Sequence, residues 1–199
     1  MQNEFYILSK TYTNYAIAVR EEQPSIVNKC SVCGAVSGKR RSDEKFKMHF
    51  EGKKVGDYYF APICNIVSEK MLQLLKDNEI TGFREKEIEC TGWYDRKGNE
   101  LPIDFSGFRE IEITGRTGKL LNLEGKEVEN CPHCHALKDE GLRSVEGLSV
   151  GEEWDGSDMF YFRNWSGVTI VTSKVKELLE SNKMKNVDFI KLSEYEEAW

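Results

Sequence analysis

Two C-x-x-C pairs that lie far apart in the chain constrain the fold more than any other feature of the sequence. Their members are Cys30, Cys33, Cys131 and Cys134. Two intervening residues allow a tight knuckle that directs both thiolates at one ion, and Zn²⁺ binds four such sulfurs tetrahedrally. Because Cys33 and Cys131 are separated by 98 positions, no local turn unites the two pairs. We therefore predict one structural zinc site with four cysteine ligands, which the folded chain closes.

Other uses of the cysteines remain open at this point. The two pairs could form separate sites, completed by other side chains of the sequence: His133, His135, Cys64 or Cys90. A thiol oxidoreductase with a thioredoxin-like centre would need a C-x-x-C pair at the start of a helix, and residues 34–41 have no helical pattern. We predict Cys64 and Cys90 to be small buried apolar residues, because a free cysteine behaves as one.

Composition and charge limit the class of protein. The chain has 199 residues, of which 39% are hydrophobic and 31% charged, and this is typical of a globular domain. No apolar run approaches the ~20 residues that a membrane helix requires, and the first residues lack the pattern of a signal peptide. We expect a cytoplasmic protein that does not bind membranes. The net charge of −6 disfavours generic nucleic-acid binding and suits a basic protein partner.

The sequence predicts an internal repeat whose two copies begin at the cysteine pairs. In each copy an aspartate follows the second cysteine of the pair by 24 positions, at Asp57 and at Asp158. Similar segments come next, IVSEK at residues 66–70 and IVTSK at residues 170–174. We interpret the two aspartates as residues that cap or brace the structure.

The apolar pattern of each copy predicts one helix with an apolar stripe. The stripes are Val67, Met71, Leu74 and Leu75 in the first copy, and Val171, Val175, Leu178 and Leu179 in the second. These positions recur with the period of an α-helix. Ser68 and Thr172 are the predicted N-caps. Asn78 and Asn182 are the predicted left-handed residues that end the helices.

Strands are predicted for most of the remaining chain, and the fold class is α+β. Their ranges are 5–8, 15–19, 46–50, 83–88, 101–105, 108–114, 119–123 and 187–192. His49 falls on a solvent-facing strand position and is assigned no chemistry. We expect residues 1–90 to form the first repeat half with its knuckle, 91–130 a β-rich connector, and 131–199 the second repeat half with its knuckle. Each half would consist of knuckle, β segment, helix and strand, in one integrated body.

These features together resemble the double-CXXCG motif family of bacteria. The resemblance rests on the two spaced cysteine pairs, on WDGSDMF at residues 154–160 and on the helix start at residues 170–174, and it covers most of the chain. The first pair matches the motif through Gly34, whereas His135 replaces the second glycine. Members resemble immunity proteins of polymorphic toxin systems, which bind and neutralise a cognate toxin. The resemblance implies metal ligation by Cys30, Cys33, Cys131 and Cys134.

The sequence contains no convincing enzyme signature. Residues 113–120 (ITGRTGKL) are similar to a phosphate-binding loop, but only two residues separate the glycines. Leu120 also stands where Ser or Thr would bind Mg²⁺, so a hairpin turn is the predicted alternative. A zinc ion held by four thiolates has no open position for a substrate. We therefore predict that the protein is not an enzyme.

The predicted function is neutralisation of a basic toxin by an acidic surface. The candidate contact residues are Glu152, Glu153, Asp155, Glu194, Glu196, Glu197 and Trp199. Clustered carboxylates with aromatic residues suit an interface that needs electrostatic steering and an anchor, although a solvated acidic rim has the same composition. The alternative function is a zinc-ribbon nucleic-acid-binding or regulatory adaptor, in which Lys39, Arg40 and Arg41 would contact phosphates. The sequence does not determine the toxin or the oligomeric state.

Overall fold

The computed structural model describes residues 4–11, 14–21, 26–39, 45–61, 64–137 and 145–196. Within these ranges the chain has the predicted α+β class, with sixteen strands and two α-helices. The strands are β1 (Phe5–Ser9), β2 (Ile17–Arg20), β3 (Ile26–Lys29), β4 (Val36–Lys39), β5 (Phe46–Glu51), β6 (Tyr58–Ala61), β7 (Cys64–Val67), β8 (Phe83–Lys86), β9 (Ile88–Tyr94), β10 (Arg109–Ile113), β11 (Gly115–Thr117), β12 (Leu121–Asn122), β13 (Leu148–Ser149), β14 (Met159–Phe162), β15 (Trp165–Thr172) and β16 (Asp188–Lys191). The helices are α1 (Glu69–Asp77), α2 (Ser173–Ser181) and a short 3₁₀ helix (Leu192–Glu194). Neither α-helix is long and apolar enough to cross a membrane.

Two of the sheets carry the two helices. The first has the order β6-β7-β10-β8, and α1 connects β7 to β8. The second has the order β11-β14-β15-β1-β16, and α2 connects β15 to β16. Neighbouring strands are antiparallel except for the parallel pair β11–β14. In each sheet, a strand from a remote part of the chain lies between the two strands that the helix connects: β10 in the first and β1 in the second.

The remaining described strands form three smaller sheets. β2, β5 and β9 form a three-stranded sheet, β12 pairs with β13, and β3 pairs with β4. The β3–β4 hairpin carries the first C-x-x-C pair between its strands. Among the described strands, β3 and β4 pair only with each other.

Three apolar clusters form the core. The first lies between the two helices and the two larger sheets, and it includes Met71 and Leu75 of α1 together with Val175 and Leu179 of α2. Both helices therefore bury one apolar face in a shared core. The first members of the predicted stripes, Val67 and Val171, also lie in this core, but on β7 and β15 and not on the helices. The second cluster covers the opposite face of the five-stranded sheet, because successive residues of a strand point to opposite faces. The third lies against the three-stranded sheet, where the Trp93 ring stacks on a phenylalanine at a centroid distance of 4.4 Å.

The two predicted N-caps differ. Ser68 caps α1 as expected, since its Oγ accepts a hydrogen bond from the Met71 N–H at 3.2 Å. The prediction for Thr172 is wrong in its bonding, because the side chain makes no cap hydrogen bond to α2. Its Oγ1 instead donates to the Asp158 carboxylate at 3.2 Å.

The predicted left-handed residues are wrong by one position at both helix ends. Asn78 has φ −101° and Asn182 has φ −90°. The left-handed residues are those that follow, Glu79 with φ 51° and Lys183 with φ 52°. Each asparagine Nδ2 donates to the carbonyl four residues earlier at 2.9 Å. The side chain thus satisfies a terminal carbonyl, and the next residue makes the turn.

Two further expectations about local structure are wrong. Residues 101–105 form no strand, because Pro102 has no N–H for a ladder and the segment packs its apolar side chains on the third cluster. Residues 113–120 form no hairpin turn. They contain β11, which pairs in parallel with β14, a partner more than 40 positions later in the chain.

Candidate metal centre

The four predicted ligands come together in the structure. Cys30 Sγ lies 4.0 Å from Cys131 Sγ, and Cys33 Sγ lies 3.6 Å from Cys134 Sγ. All four sulfurs are within 4.8 Å of one another. A tetrahedral site with Zn–S bonds of about 2.3 Å has sulfur–sulfur edges of about 3.8 Å. The group could therefore hold one metal ion such as zinc.

The other predicted candidates for ligation lie outside this group. Neither His133 nor His135 belongs to the cluster that the described residues form. Cys64 is 1% exposed on β7 and Cys90 is half-buried on β9. Loss of solvent raises the pKa of the Cys90 thiol. These positions favour one shared site over two separate ones.

The two knuckles have the same backbone geometry. In each, the N–H four residues after the first cysteine donates to the carbonyl of that cysteine at 2.9 Å, from Gly34 to Cys30 and from His135 to Cys131. The N–H of the first cysteine donates in turn to the carbonyl five residues later. This turn needs a left-handed residue, and φ is 73° at Gly34 and 59° at His135. The histidine therefore adopts the same left-handed conformation as Gly34 in the first knuckle.

Backbone N–H groups favour the thiolate at the first cysteine of each knuckle. Hydrogen bonds from the N–H groups three and two residues later lower the pKa of Cys30 to about 6, and the equivalent bonds lower the pKa of Cys131. The pKa of Cys134 moves to about 12, because the effect of the Ala136 N–H, which lowers it, is outweighed by loss of solvent and by the other three thiols. A cysteine that binds a metal must be a thiolate. Four thiolates this close together repel one another, so the cluster favours a cation among them.

The two knuckles are supported differently. Residues 26–29 of β3 are exposed, as is Val36 on β4, and Cys33 is exposed at the tip. In the second knuckle, Cys131 is only 1% exposed. The chain on either side of this knuckle, at Val128 and Leu137, packs into the second apolar cluster. The core thus fixes the second knuckle directly, whereas the first lies on an exposed hairpin.

Asp57 links the two helix-bearing units of the fold, which are the β6-β7-β10-β8 sheet with α1 and the β11-β14-β15-β1-β16 sheet with α2. One carboxylate oxygen accepts the Ser68 hydroxyl at 2.8 Å, immediately before α1. The other oxygen accepts the backbone N–H of Lys185 at 2.8 Å, in the loop after α2. Asp57 therefore holds the start of its own helix and the loop that follows the other helix.

Asp158 makes the reciprocal link. Its carboxylate accepts the Thr172 hydroxyl at 3.2 Å, immediately before α2. It also accepts both the N–H and the hydroxyl of Thr81 at 3.0 Å, in the loop after α1. Both aspartates thus brace the structure, as interpreted from the sequence. The pairing across the two units was not predicted, because spacing along the chain carries no signal for it.

The predicted partner-contact residues lie in two separate segments. Glu152, Glu153 and Asp155 are exposed in the loop between β13 and β14. Glu194 and Glu196 are exposed at and after the 3₁₀ helix. Glu197 and Trp199 lie outside the described residues, as do Arg40 and Arg41 of the alternative nucleic-acid surface; Lys39 ends β4.

Asp155 has a structural task in its loop. Its carboxylate accepts the N–H of Arg116 at 2.8 Å and that of Ser157 at 3.0 Å. Partial burial raises the pKa of Asp155, but the hydrogen bonds from Ser157 and Arg116 outweigh it, and the pKa is lowered overall. Glu153 Oε1 lies 3.5 Å from Arg163 Nη2, so Glu152 is the freest of the three acidic residues of this loop to meet a partner.

The fold and the sulfur geometry thus define an α+β protein with a closed set of four thiolates that could hold one zinc ion. No protein-family model matches the chain, and no curated protein is significantly similar to it. The function is accordingly inferred from the residues and from the geometry that they adopt.

Proposed function

We propose that this is a non-enzymatic zinc-binding protein in which one structural ion links two remote parts of the chain. The observation that carries the proposal is the convergence of four sulfurs within 4.8 Å from two knuckles of equal geometry. Four thiolates complete a tetrahedral zinc shell and leave no position for a substrate. The binding free energy of such an ion becomes folding free energy.

Metal analysis of the purified chain tests this proposal. We expect one zinc per chain, and less than about a tenth of that in Cys30→Ser and Cys131→Ser, because three thiolates bind zinc far more weakly than four. Cys90→Ser is the matched control, since this cysteine is half-buried and lies outside the cluster. Two zinc ions per chain would favour separate sites, and a metal-free protein that keeps its fold would disprove the proposal.

We further propose that the two helix-bearing units are copies of one ancestral half. The strands and helix β6, β7, α1 and β8 correspond to β14, β15, α2 and β16. Two observations support this correspondence: the same strand order, with one inserted strand, in both sheets, and the reciprocal bonds of Asp57 and Asp158. A repeat of this kind explains why each half contributes one knuckle to the metal centre.

We propose that the zinc-supported body is an immunity protein that binds and neutralises a cognate protein toxin of a bacterium. The proposal is supported by the resemblance to the double-CXXCG motif family and by the net charge of −6, which suits a basic partner. The exposed carboxylates of Glu152, Glu153, Glu194 and Glu196 supply surface charge for such a contact.

Co-expression with the product of the adjacent gene tests the immunity function. We expect the chain to restore growth of cells that express a toxic neighbour and to co-purify with it. Cys30→Ser should lose most of this protection if the ion supports the binding-competent fold, whereas Cys90→Ser should keep it. Failure of the wild-type chain both to bind and to protect would refute the proposal. Salt-dependent binding to generic DNA or RNA would instead favour the adaptor function.

A further inference from the structure

The four-sulfur cluster has one side that faces solvent. In each knuckle the second cysteine is exposed, Cys33 in the first and Cys134 in the second. The first cysteines are less accessible, since Cys30 is half-buried and Cys131 is 1% exposed. A dissolved oxidant therefore has its widest access to the two second cysteines.

The two exposed cysteines are also neighbours across the knuckles. The Sγ atoms of Cys33 and Cys134 lie 3.6 Å apart, whereas those of Cys30 and Cys131 lie 4.0 Å apart. An S–S bond is about 2.0 Å long, so the exposed sulfurs would have to approach by about 1.6 Å. Cys33 lies at the tip of the β3–β4 hairpin, whose strands pair only with each other among the described strands. A small shift of this hairpin is enough to bring the two sulfurs together.

Backbone hydrogen bonds occupy the sulfurs of the first cysteines. The Val32 N–H donates to Cys30 Sγ at 3.4 Å, and the N–H of the next residue acts on the same sulfur. Two equivalent N–H groups act on Cys131, whereas Cys134 has one such bond, from the Ala136 N–H. A disulfide within a knuckle consumes a sulfur that accepts two of these bonds. A disulfide between the second cysteines leaves both of those sulfurs in place.

We infer that Cys33 and Cys134 are the oxidation site of the protein, a pair that hydrogen peroxide converts into a disulfide between the two knuckles. The inference rests on the proposed zinc site, in which every cysteine ligand is a thiolate. Access then decides which of the four sulfurs reacts, and the exposed pair is the accessible one.

The reaction has two steps. One exposed thiolate attacks an oxygen of hydrogen peroxide, the O–O bond breaks, and the sulfur becomes a sulfenic acid as hydroxide leaves. The second thiolate attacks this sulfur, the S–O bond breaks, and a second hydroxide leaves as the S–S bond forms. Two protons from the solvent convert the hydroxides into water. The two sulfurs together lose two electrons, and the peroxide gains them.

The disulfide exchanges one link between the knuckles for another. Only Cys30 and Cys131 then remain as thiolates in the cluster, and two thiolates bind zinc far more weakly than four. The ion therefore leaves, while the new covalent bond keeps the first knuckle attached to the second. Oxidation thus removes the ion without releasing the β3–β4 hairpin, whereas a chelator removes the ion and the link together.

Titration of the zinc-loaded full chain with hydrogen peroxide tests the inference. A colorimetric chelator measures the released zinc, and peptide mapping by mass spectrometry without reduction identifies the disulfides. We expect zinc release in proportion to disulfide formation, with the Cys33–Cys134 link about tenfold more abundant than any other. A main product that links Cys30 to Cys33, or Cys131 to Cys134, would overturn the inference.

Trapping of the first oxidation product identifies the sulfur that is attacked. Dimedone, present during treatment with limiting peroxide, should label Cys33 and Cys134 about fivefold more than Cys30 and Cys131. Cys90→Ser is the matched control, since this half-buried cysteine lies outside the cluster, and it should give the same products as wild type. Preferential labelling of the first cysteines, or a different main disulfide in the control, would contradict the assignment.

Hydrogen exchange tests whether the disulfide holds the hairpin. In the oxidised, zinc-free chain, amide exchange of residues 26–39 should stay within about threefold of that in the zinc-loaded chain. In the reduced chain stripped by a chelator, the same amides should exchange about a hundredfold faster than in the zinc-loaded chain. Equal exchange in the two zinc-free forms would show that oxidation does not link the knuckles.

The same measurements separate this inference from the zinc proposal. If the purified chain holds no zinc but peroxide still joins Cys33 to Cys134, the zinc proposal is wrong and the oxidation site stands. If one zinc is bound and its release accompanies a different pairing, the oxidation site is wrong and the zinc proposal stands.

Discussion

The two knuckles share a sequence motif and a backbone geometry, but only the second is flanked by described residues that pack into the core. The first knuckle lies at the tip of the β3–β4 hairpin, whose strands pair only with each other among the described strands. The second is flanked by Val128 and Leu137, which pack into the second apolar cluster. An element that buries little apolar surface gains little from the hydrophobic effect. An ion bound by the four sulfurs would therefore have a different task at each knuckle: it would position the first and tighten the second.

The largest effect is expected from removal of the ion. Chelation should raise amide hydrogen exchange about a hundredfold or more in residues 26–39, because the hairpin then loses its link to the body. Residues 128–137 should change far less, since the core still holds them. Hydrogen exchange with mass spectrometry measures both segments, and the α1 and α2 amides serve as the internal control. An equal increase of hydrogen exchange at both knuckles would contradict the difference in their support.

A smaller effect is expected when the apolar support of each knuckle is trimmed. Val128 is 3% exposed and Val36 is 66% exposed. Val128→Ala should lower the free energy of unfolding by about 2 kcal/mol, from lost burial and the cavity left behind. Val36→Ala should change it by less than about 0.5 kcal/mol. Denaturant unfolding of the zinc-loaded proteins measures the difference. Similar losses at both positions would mean that the hairpin is packed more firmly than its exposure indicates.

The smallest effects concern the left-handed residue of each turn. Gly34→Ala should cost about 1 kcal/mol of stability, because an L side chain is strained at φ 73°. His135→Gly should be neutral or stabilising by up to about 1 kcal/mol, since glycine relieves the strain but adds entropy to the unfolded chain. Thermal unfolding at constant zinc concentration measures both. Loss of zinc from His135→Gly would instead show that the imidazole contributes to the site.

Local features of the sequence predicted the helices well. The apolar stripes located α1 and α2, and Ser68 was identified as an N-cap because capping depends on residues only three positions apart. The left-handed residues were misplaced by one position. The amide side chains of Asn78 and Asn182 bind the preceding turn, so the turn itself falls on Glu79 and Lys183.

The sheets were much less predictable than the helices. Most strand ranges were found, but nothing in the sequence places β1 between β15 and β16, or β10 between β7 and β8. Residues 115–117 show the same limit, since β11 pairs only with β14 among the described strands. Strand pairs form between residues of any separation, so a periodicity of two shows which side chains share a face and not which strand is the neighbour.

The candidate metal site was also predictable only in part. The sequence alone identified the four side chains that could bind a metal, because each C-x-x-C pair lies within four consecutive residues. Only the tertiary structure decided that the two pairs meet and that Asp57 and Asp158 each hold the loop beyond the other's helix. These are distances between remote residues, and they are set by how the core packs, which no local pattern records.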